Sequence, residues 1–160
     1  MSSAENKTLV RRYFEEAPHK PAVYDEILTN DFRVHAIHHA TITPAGAENG
    51  PPAFKAFAIW LHLVWSDAAM TVDELIGEGD RVMARWTFRG VHTGELFGIP
   101  PTGKAVAYAG INIFRVAEGK LAESWDLFDR LWQWQQLGVL PDTAEFLAKA
   151  REKHSAPRVG

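Results

Sequence analysis

The segment from Asn112 to Gly138 constrains the fold of this chain more than any other. It is rich in branched and aromatic residues, and Glu118-Gly119 divides it into two runs with the character of strands. A short Gly-containing turn between two such runs predicts a β-hairpin, in which successive side chains point to opposite faces. One face of the second run carries Ala122, Ser124, Asp126 and Phe128, and the other carries Leu121, Glu123, Trp125 and Leu127.

Asp126 is the one carboxylate on the first of these two faces. If that face lines a cavity, burial disfavours the charged form of the carboxyl and raises its pKa. A general acid or base that works near neutral pH needs a pKa in that range. The alternative is a structural carboxylate at the rim of the sheet, paired with Arg115 or Arg130. The alternation therefore predicts a catalytic carboxylate at position 126, and a structural ion pair with Arg115 or Arg130 stays as the alternative.

Helical patterns come first along the chain. Ser2 and Glu5 have the spacing of a capping box and open an amphipathic helix. A short second helix leads into a strand at residues 31–35. Residues 36–51 have no sustained period, which predicts a long loop, and Pro51 then opens a third helix.

Strand patterns take over from Ala69 to Phe128. A closing helix follows, in which Phe146 and Leu147 are expected to face the core. Helices followed by an antiparallel meander predict an α+β fold, because each layer must bury its apolar side against the other. We expect a curved, mostly antiparallel sheet with the N-terminal helices packed on one face.

The composition of the 160-residue chain excludes several classes of function. Its length predicts a single domain over residues 1–160, with an ordered core from about residue 4 to about residue 150. A formal net charge of -3 gives no reason to expect nucleic acid as a partner. The sequence contains no run long enough to span a membrane, no signal-peptide core and no cysteine. We therefore expect a cytoplasmic protein that binds neither nucleic acid nor membrane.

Several short motifs run through the strand-rich half of the chain. They are Gly79-Asp80-Arg81-Val82, His92-Thr93-Gly94, Phe97-Gly98-Ile99-Pro100-Pro101-Thr102-Gly103, Gly119-Lys120 and Gln136-Leu137-Gly138. Together they resemble the SnoaL-like polyketide cyclases, also called ester cyclases, and the resemblance extends from the opening helix to Gly138. It implies the cone-shaped α+β barrel of nuclear transport factor 2 and ketosteroid isomerase. It also implies a homodimer or homotetramer that assembles through the sheet.

The same resemblance implies a reaction. Cyclases of this kind close a ring of a polyketide ester by intramolecular aldol condensation, without metal or cofactor, and an aspartate in the last long strand is their acid/base. The matching residue in this sequence is Asp126. One position departs from the pattern, because Asn112 stands where the anthracycline cyclases have a histidine beside that aspartate. An amide can donate and accept hydrogen bonds but cannot shuttle a proton, so we assign Asn112 to substrate binding. Either a second catalytic group lies elsewhere or the reaction differs.

His35 is the residue expected to supply that second group. Similar sequences often have a histidine near the end of the first strand, facing the cavity, and His39 adds an imidazole that we assign to substrate binding. Imidazoles at His35, His39, His62 and His92 would suit zinc, iron or copper. However, their spacing is not that of a helical HExxH site, and no carboxylate stands at ligand spacing. We therefore predict neither a metal nor a cofactor. We expect His35 to act as a proton shuttle or as a hydrogen-bond donor to a substrate carbonyl.

Arg85 lies in the middle of a predicted strand. Because an unpaired buried charge is too costly, we expect either a salt bridge to Asp126 or Glu123, or a bond to a substrate oxygen. Aromatic residues are expected to wall a pocket for a flat, hydrophobic ligand, with core and interface packing as the alternative. The residues predicted to line this pocket are Trp65, Trp86 and Phe97.

Three hypotheses for the function follow. The first is a cofactor-free cyclase acting on a small, hydrophobic, polyketide- or terpenoid-like carbonyl compound, with Asp126 as the base and His35 or Asn112 bonding the enolate oxygen. The second is an isomerase or an epoxide hydrolase, since hydrolases of this superfamily use an Asp-Arg-Asp arrangement. Arg85 and Asp126 could belong to one, but Asp129, the only nearby second aspartate, does not have matching strand parity. The third is a non-catalytic ligand-binding or dimerisation module, which a solvent-facing Asp126 would favour.

Overall fold

The computed structural model describes residues 2–36 and 50–155. The helices in these ranges are α1 (Ser3–Glu15), α2 (Val23–Ile27), α3 (Pro51–Val64), α4 (Arg130–Leu137) and α5 (Thr143–Ser155). The strands are β1 (Leu28–Ala36), β2 (Trp65–Glu78), β3 (Arg81–His92), β4 (Ala105–Ala117) and β5 (Lys120–Phe128). None of the helices in these ranges is long and apolar enough to cross a membrane.

The strands form one curved, open sheet in the order β1-β5-β4-β3-β2. Strands β2 to β5 pair in antiparallel fashion as a meander, whereas β1 pairs in parallel with β5. Since β1 and β2 form opposite edges, the connection that contains α3 crosses from one edge of the sheet to the other. The predicted mostly antiparallel sheet is confirmed.

Helix α1 begins at the predicted capping box. The Ser2 Oγ accepts the Glu5 backbone N–H at 3.3 Å, and the Glu5 carboxylate accepts the Ser2 backbone N–H at 2.6 Å. The helix buries Val10 and Phe14, and the Phe14 ring lies 5.5 Å from the ring of Trp86 on the sheet. Full burial of side chains of this size contributes about 1.5–3 kcal/mol each. This packing places a helical layer on one face of the sheet, called here the inner face.

The β4–β5 hairpin is the one that the sequence predicts. Glu118 and Gly119 have φ angles of 52° and 77°, which is the geometry of a two-residue type I′ turn. The side chains of residues 122–128 alternate between the faces as expected. Leu121 is the exception, because it was predicted to point outward and is fully buried. The pairing register of β4 and β5 shifts after Arg115, and such a shift moves a side chain to the other face.

Two further predictions about element positions are wrong. Strand β2 begins at Trp65, directly after α3, and not at Ala69. Phe146 and Leu147 are 59% and 45% exposed and do not face the core. The reason is that α5 follows the last strand and packs little against the other described elements.

Candidate active site

Asp126 lies on β5, on the inner face of the sheet. The residue opposite it on β4 is Asn112, and residues directly opposite in an antiparallel pair project to the same face. The Asn112 Nδ2 donates to Asp126 Oδ1 at 2.5 Å and to Ser124 Oγ at 3.0 Å. The Ser124 hydroxyl donates to the same carboxylate oxygen. Two donors therefore hold Oδ1, whereas Oδ2 accepts no hydrogen bond from residues 2–36 and 50–155.

Trp86 fixes the orientation of Asn112. Its Nε1–H donates to Asn112 Oδ1 at 2.7 Å, in a buried hydrogen bond, so the amide nitrogen is turned toward Asp126. The indole fits there because Gly110 lies opposite Trp86 on β4. A Cβ at position 110 would lie 2.3 Å from Trp86 Cζ2, and glycine in a strand often permits such a close approach. Trp86 was predicted only to line a pocket. It is also the first donor in a series of hydrogen bonds that runs through Asn112 to Asp126.

Burial sets the protonation behaviour of Asp126. It raises the pKa of this carboxyl to about 6, against the Ser124 hydrogen bond and the nearby charge of His35, which both lower the pKa. A carboxyl group with such a pKa can both accept and return a proton near neutral pH. The predicted direction of the shift is therefore confirmed.

Neither arginine named as an ion-pair partner reaches Asp126. Arg115 donates from Nε to Glu123 at 2.6 Å, and Arg130 donates to Gln133 at 3.1 Å. The salt bridge that was the structural alternative for Asp126 is thus not formed among the residues that the structure describes.

Tyr13 on α1 belongs to this site, although the sequence pattern did not single it out. Its ring lies 5.0 Å from the Phe114 ring. Burial, and then the charge of Asp126, raise the pKa of the phenol well above its usual value. Its hydroxyl forms no hydrogen bond with the described part of the chain. The signal in the sequence was a single hydroxyl within the otherwise apolar stripe of Val10 and Phe14.

His35 does not face Asp126, so the prediction that it lies in the cavity is wrong. Parallel pairing sets His35 beside Trp125 of β5, and the two rings stack with their centroids 4.9 Å apart. The His35 Nε2 is 2.8 Å from Oε2 of Glu123. Glu123 and Trp125 project from the outer face, one residue out of phase with Asp126. His35 therefore belongs to the other side of the sheet.

Arg85 also lies on the outer face, where its side chain is 49% exposed. Its guanidinium bonds Asp73 at 3.3 Å and Glu74 at 3.4 Å. The expected salt bridge to Asp126 or Glu123 is wrong. Strand alternation turns Arg85 away from Asp126 on the inner face, and Glu123, which shares the outer face, is bonded to Arg115 and His35 instead. Arg85 therefore lies outside the candidate site.

The Asp-Arg-Asp arrangement of the hydrolase hypothesis is not formed around Asp126 in residues 2–36 and 50–155. Arg85 is on the opposite face of the sheet. Asp129 caps α4 instead, since its Oδ1 accepts the backbone N–H of Trp132 at 2.9 Å. Both additional members that this hypothesis needs are thus engaged elsewhere.

The other predicted binding residues occupy different places. Trp65 is 2% exposed and packs in the core, with its ring 5.4 Å from that of Phe88. Phe97 is 39% exposed, and its ring lies 5.6 Å from that of Trp60. His39 lies outside the described residues. Of the predicted binding residues that the structure describes, Asn112 and Trp86 are brought together with Asp126 and the others are not.

The described histidines that were considered as metal ligands make separate contacts. His62 Nε2 is 3.0 Å from the carbonyl oxygen of Pro18, and His92 Nδ1 is 3.1 Å from the hydroxyl of Thr102. In the described ranges, no group of three or more His, Asp or Glu side chains is placed to hold a metal ion.

An aromatic wall leads from Asn112 toward α4. The Phe128 ring lies 6.2 Å from Trp86 and 5.9 Å from Tyr108, and Tyr108 lies 4.9 Å from Phe88. Two surface pockets lined by described residues lie elsewhere, one along α1 and one at the hairpin turns beside Asn6. The enclosed hollow expected over Asp126 therefore stays a prediction.

Comparisons with known proteins agree with this fold. A family model described as SnoaL-like polyketide cyclase matches residues 8–137. The aklanonic acid methyl ester cyclase DnrD of Streptomyces peucetius is 32% identical over 136 residues, which are 81% of this chain and 88% of the relative. The nogalonic acid methyl ester cyclase of Streptomyces nogalater is 31% identical over 107 residues, 64% of this chain and 80% of the relative.

A solved structure extends the likeness to three dimensions. The structure of TsrD from Streptomyces laurentii superposes with a TM-score of 0.75 at 29% sequence identity. The match covers 88% of this chain and 99% of TsrD. The predicted α+β architecture, a curved sheet with helices on one face, is thereby confirmed.

Proposed function

This chain belongs to the SnoaL-like polyketide cyclase family, and we propose that it closes a ring in a hydrophobic, polyketide- or terpenoid-like carbonyl compound. The observation that carries the proposal is the state of Asp126. One oxygen of its carboxylate is held by Asn112 and Ser124, the other is free of described partners, and burial brings its pKa to about 6.

The proposed reaction is an intramolecular aldol condensation. Asp126 Oδ2 removes a proton from the carbon next to one carbonyl, and the electron pair of that C–H bond forms the enolate. The enolate carbon then attacks a second carbonyl of the same molecule, which forms the new C–C bond and an alkoxide. Asp126 returns its proton to that alkoxide. No electron leaves the substrate, so the chemistry requires no redox cofactor, and a positioned base contributes about 10²–10⁴-fold.

The enolate oxygen needs a hydrogen-bond donor in the site. Both N–H groups of Asn112 are engaged by Ser124 and Asp126, and His35 lies on the outer face. Tyr13 has a hydroxyl without a described partner, and it is close enough to Asp126 for the carboxylate charge to affect its pKa. We therefore assign the donor role to Tyr13 in place of His35.

The proposal includes assembly through the outer face of the sheet, as a homodimer or homotetramer. Ile111, Ile113 and Leu127 are 44%, 44% and 41% exposed on that face. An apolar surface on a sheet is typical of a protein–protein contact, and a second copy of this sheet would cover it.

The proposal is tested with Asp126→Asn, which preserves shape and removes the base. The substrates are aklanonic acid methyl ester and nogalonic acid methyl ester, the compounds in the names of the relatives, and ring closure is followed by chromatography. We expect turnover to fall by about 10²-fold or more.

Asp129→Asn is the matched control, because asparagine caps a helix about as well as aspartate. It should keep parental turnover. Cyclisation by Asp126→Asn at the parental rate would remove Asp126 from the mechanism.

A further inference from the structure

Arg130, the first residue of α4, lies over the aromatic wall at the end away from Asp126. Its guanidinium carbon is 4.4 Å from the centroid of the Phe128 ring and 5.9 Å from that of Trp134. The side chain is partly buried, and the loss of hydration lowers the pKa of the guanidinium. A positive charge is thus held against the same rings that lead to Asp126.

No carboxylate neutralises this charge within residues 2–36 and 50–155. The only hydrogen bond of the guanidinium in these ranges runs from Nη1 to Gln133 Oε1, at 3.1 Å. Arginine carries five N–H donors, all in the plane of the group, and stacking on Phe128 occupies a face of that plane without using them. Donors remain free in a position where an unpaired charge is costly to hold.

Tyr108 supplies a second polar group at the same place. Its side chain lies on the inner face of β4, 9% exposed, beside Phe128. Its phenol is near enough to Arg130 for the guanidinium charge to lower the phenol pKa, although burial raises that pKa more strongly. The Tyr108 hydroxyl forms no hydrogen bond with the part of the chain that the structure describes. Two neighbouring groups therefore have donors available to an anion, because the Tyr108 hydroxyl has no described acceptor and the Arg130 guanidinium bonds only Gln133 among the described residues.

The wall joins this pair to the candidate catalytic group. Trp86 contacts Phe128 and donates to Asn112, which in turn donates to Asp126. Arg130 follows Asp126 by four residues, so a strand rise of about 3.3 Å per residue limits the backbone separation to about 13 Å. A flat molecule of two to four fused rings has dimensions of this order.

We propose that Arg130, together with Tyr108, binds an anionic oxygen of an aromatic substrate whose other end lies at Asp126. This inference rests on the function proposed above and specifies its substrate class. The guanidinium fork suits a carboxylate in bidentate geometry, and it also binds an ionised phenol. In a methyl ester the carboxyl group is neutral, so an ionised ring phenol and a free carboxylate are the two sources to distinguish.

The test compares anionic and neutral probes that share one ring system. Anthraquinone-2-carboxylate, its methyl ester and alizarin, at a pH where one alizarin phenol is ionised, are titrated against the full chain by quenching of tryptophan fluorescence. We expect an anionic probe to bind about tenfold more tightly than the ester, which corresponds to about 1.4 kcal/mol. Preference for the carboxylate or for alizarin identifies the source of the anion.

Arg130→Gln should reduce that preference to within about twofold while affinity for the ester is kept, which shows that the wall is intact. Arg130→Lys should keep part of the preference, because it keeps the charge. Arg11→Gln removes the same charge from an exposed site on α1 and should leave the preference unchanged. Equal affinity of the parent protein for all three probes, or an undiminished preference in Arg130→Gln, overturns the proposal.

The two proposals fail separately in this design. The affinity ratio requires no turnover, so it can be measured in Asp126→Asn, which should keep the preference for an anion. Cyclisation by Asp126→Asn at the parental rate would refute the catalytic role of Asp126. The ratio of the affinities for anionic and neutral probes would still test whether Arg130 binds an anion.

Discussion

Replacing Asp126 by asparagine is expected to stabilise the protein at neutral pH. Folding raises the pKa of this carboxyl from 3.8 to about 6 because the group is buried. Each pKa unit corresponds to about 1.36 kcal/mol, so the ionised carboxylate lowers the free energy of unfolding by about 3 kcal/mol. Asparagine keeps an oxygen for the hydrogen bonds from Asn112 and Ser124 and carries no charge.

The pH dependence has a definite sign. A folded-state pKa above the unfolded value means that the folded state binds the proton more tightly. The stabilisation from the neutral carboxyl is therefore fully present below about pH 3.8 and is lost as the pH rises through about 6. Linkage gives a stability advantage of Asp126→Asn over the parent of about 1 kcal/mol near pH 4.5 and about 3 kcal/mol at pH 7 and above.

The assay is urea unfolding followed by tryptophan fluorescence, from about pH 4.5 to about pH 8, for the parent protein and two variants. Differences between proteins at each pH cancel the titration of all other groups. Asp129→Asn makes the same chemical change at the exposed cap of α4, and its difference from the parent should stay within about 0.5 kcal/mol throughout. A difference for Asp126→Asn that does not vary with pH, or a variant less stable than the parent at neutral pH, would refute a buried carboxylate with a raised pKa.

Two further predictions concern packing and assembly. Gly110→Ala would place a Cβ 2.3 Å from Trp86 Cζ2, so we expect a loss of about 1–3 kcal/mol in urea unfolding and a changed near-ultraviolet dichroism of Trp86; unchanged values would contradict the close packing. Ile113→Glu introduces a charge on the outer face and should dissociate the proposed oligomer in sedimentation experiments. Ile59→Glu adds the same charge on α3, where the side chain is 59% exposed, and should leave the oligomeric state unchanged. Equal sedimentation behaviour of the two variants would contradict assembly through the sheet.

Local patterns were sufficient to predict the strand that carries Asp126. The two-residue period of β5 separated Asp126 from Glu123 and Trp125, and the Glu118-Gly119 turn followed from its backbone preference. Both depend on residues within one hairpin. Where the period failed, at Leu121, a register shift between β4 and β5 intervened, and such a shift leaves no local trace.

The residues that distant segments of the chain bring near Asp126 were predicted poorly. The facing of His35 depends on its register with β5, which lies far away along the chain, and the parallel pairing set it beside Trp125. Arg85 was expected near Asp126, although its strand turns it toward Asp73. The sequence showed the alternation of side chains within each of these strands. It did not show which face of one strand lies on the same side of the sheet as a given face of another strand.

The sequence by itself determined the order of helices and strands, the β4–β5 turn and the inward direction of Asp126, because these depend on short-range backbone and side-chain periodicity. Only the tertiary structure decided what surrounds the carboxylate. Tyr13 of α1 lies near enough to feel its charge, and Trp86, in the space that Gly110 leaves, orients the Asn112 that donates to it. Farther along the same face, Arg130 lies over Phe128 where the strand ends. These contacts join residues far apart in the chain or follow the end of a regular period, so the packing of the elements determines them.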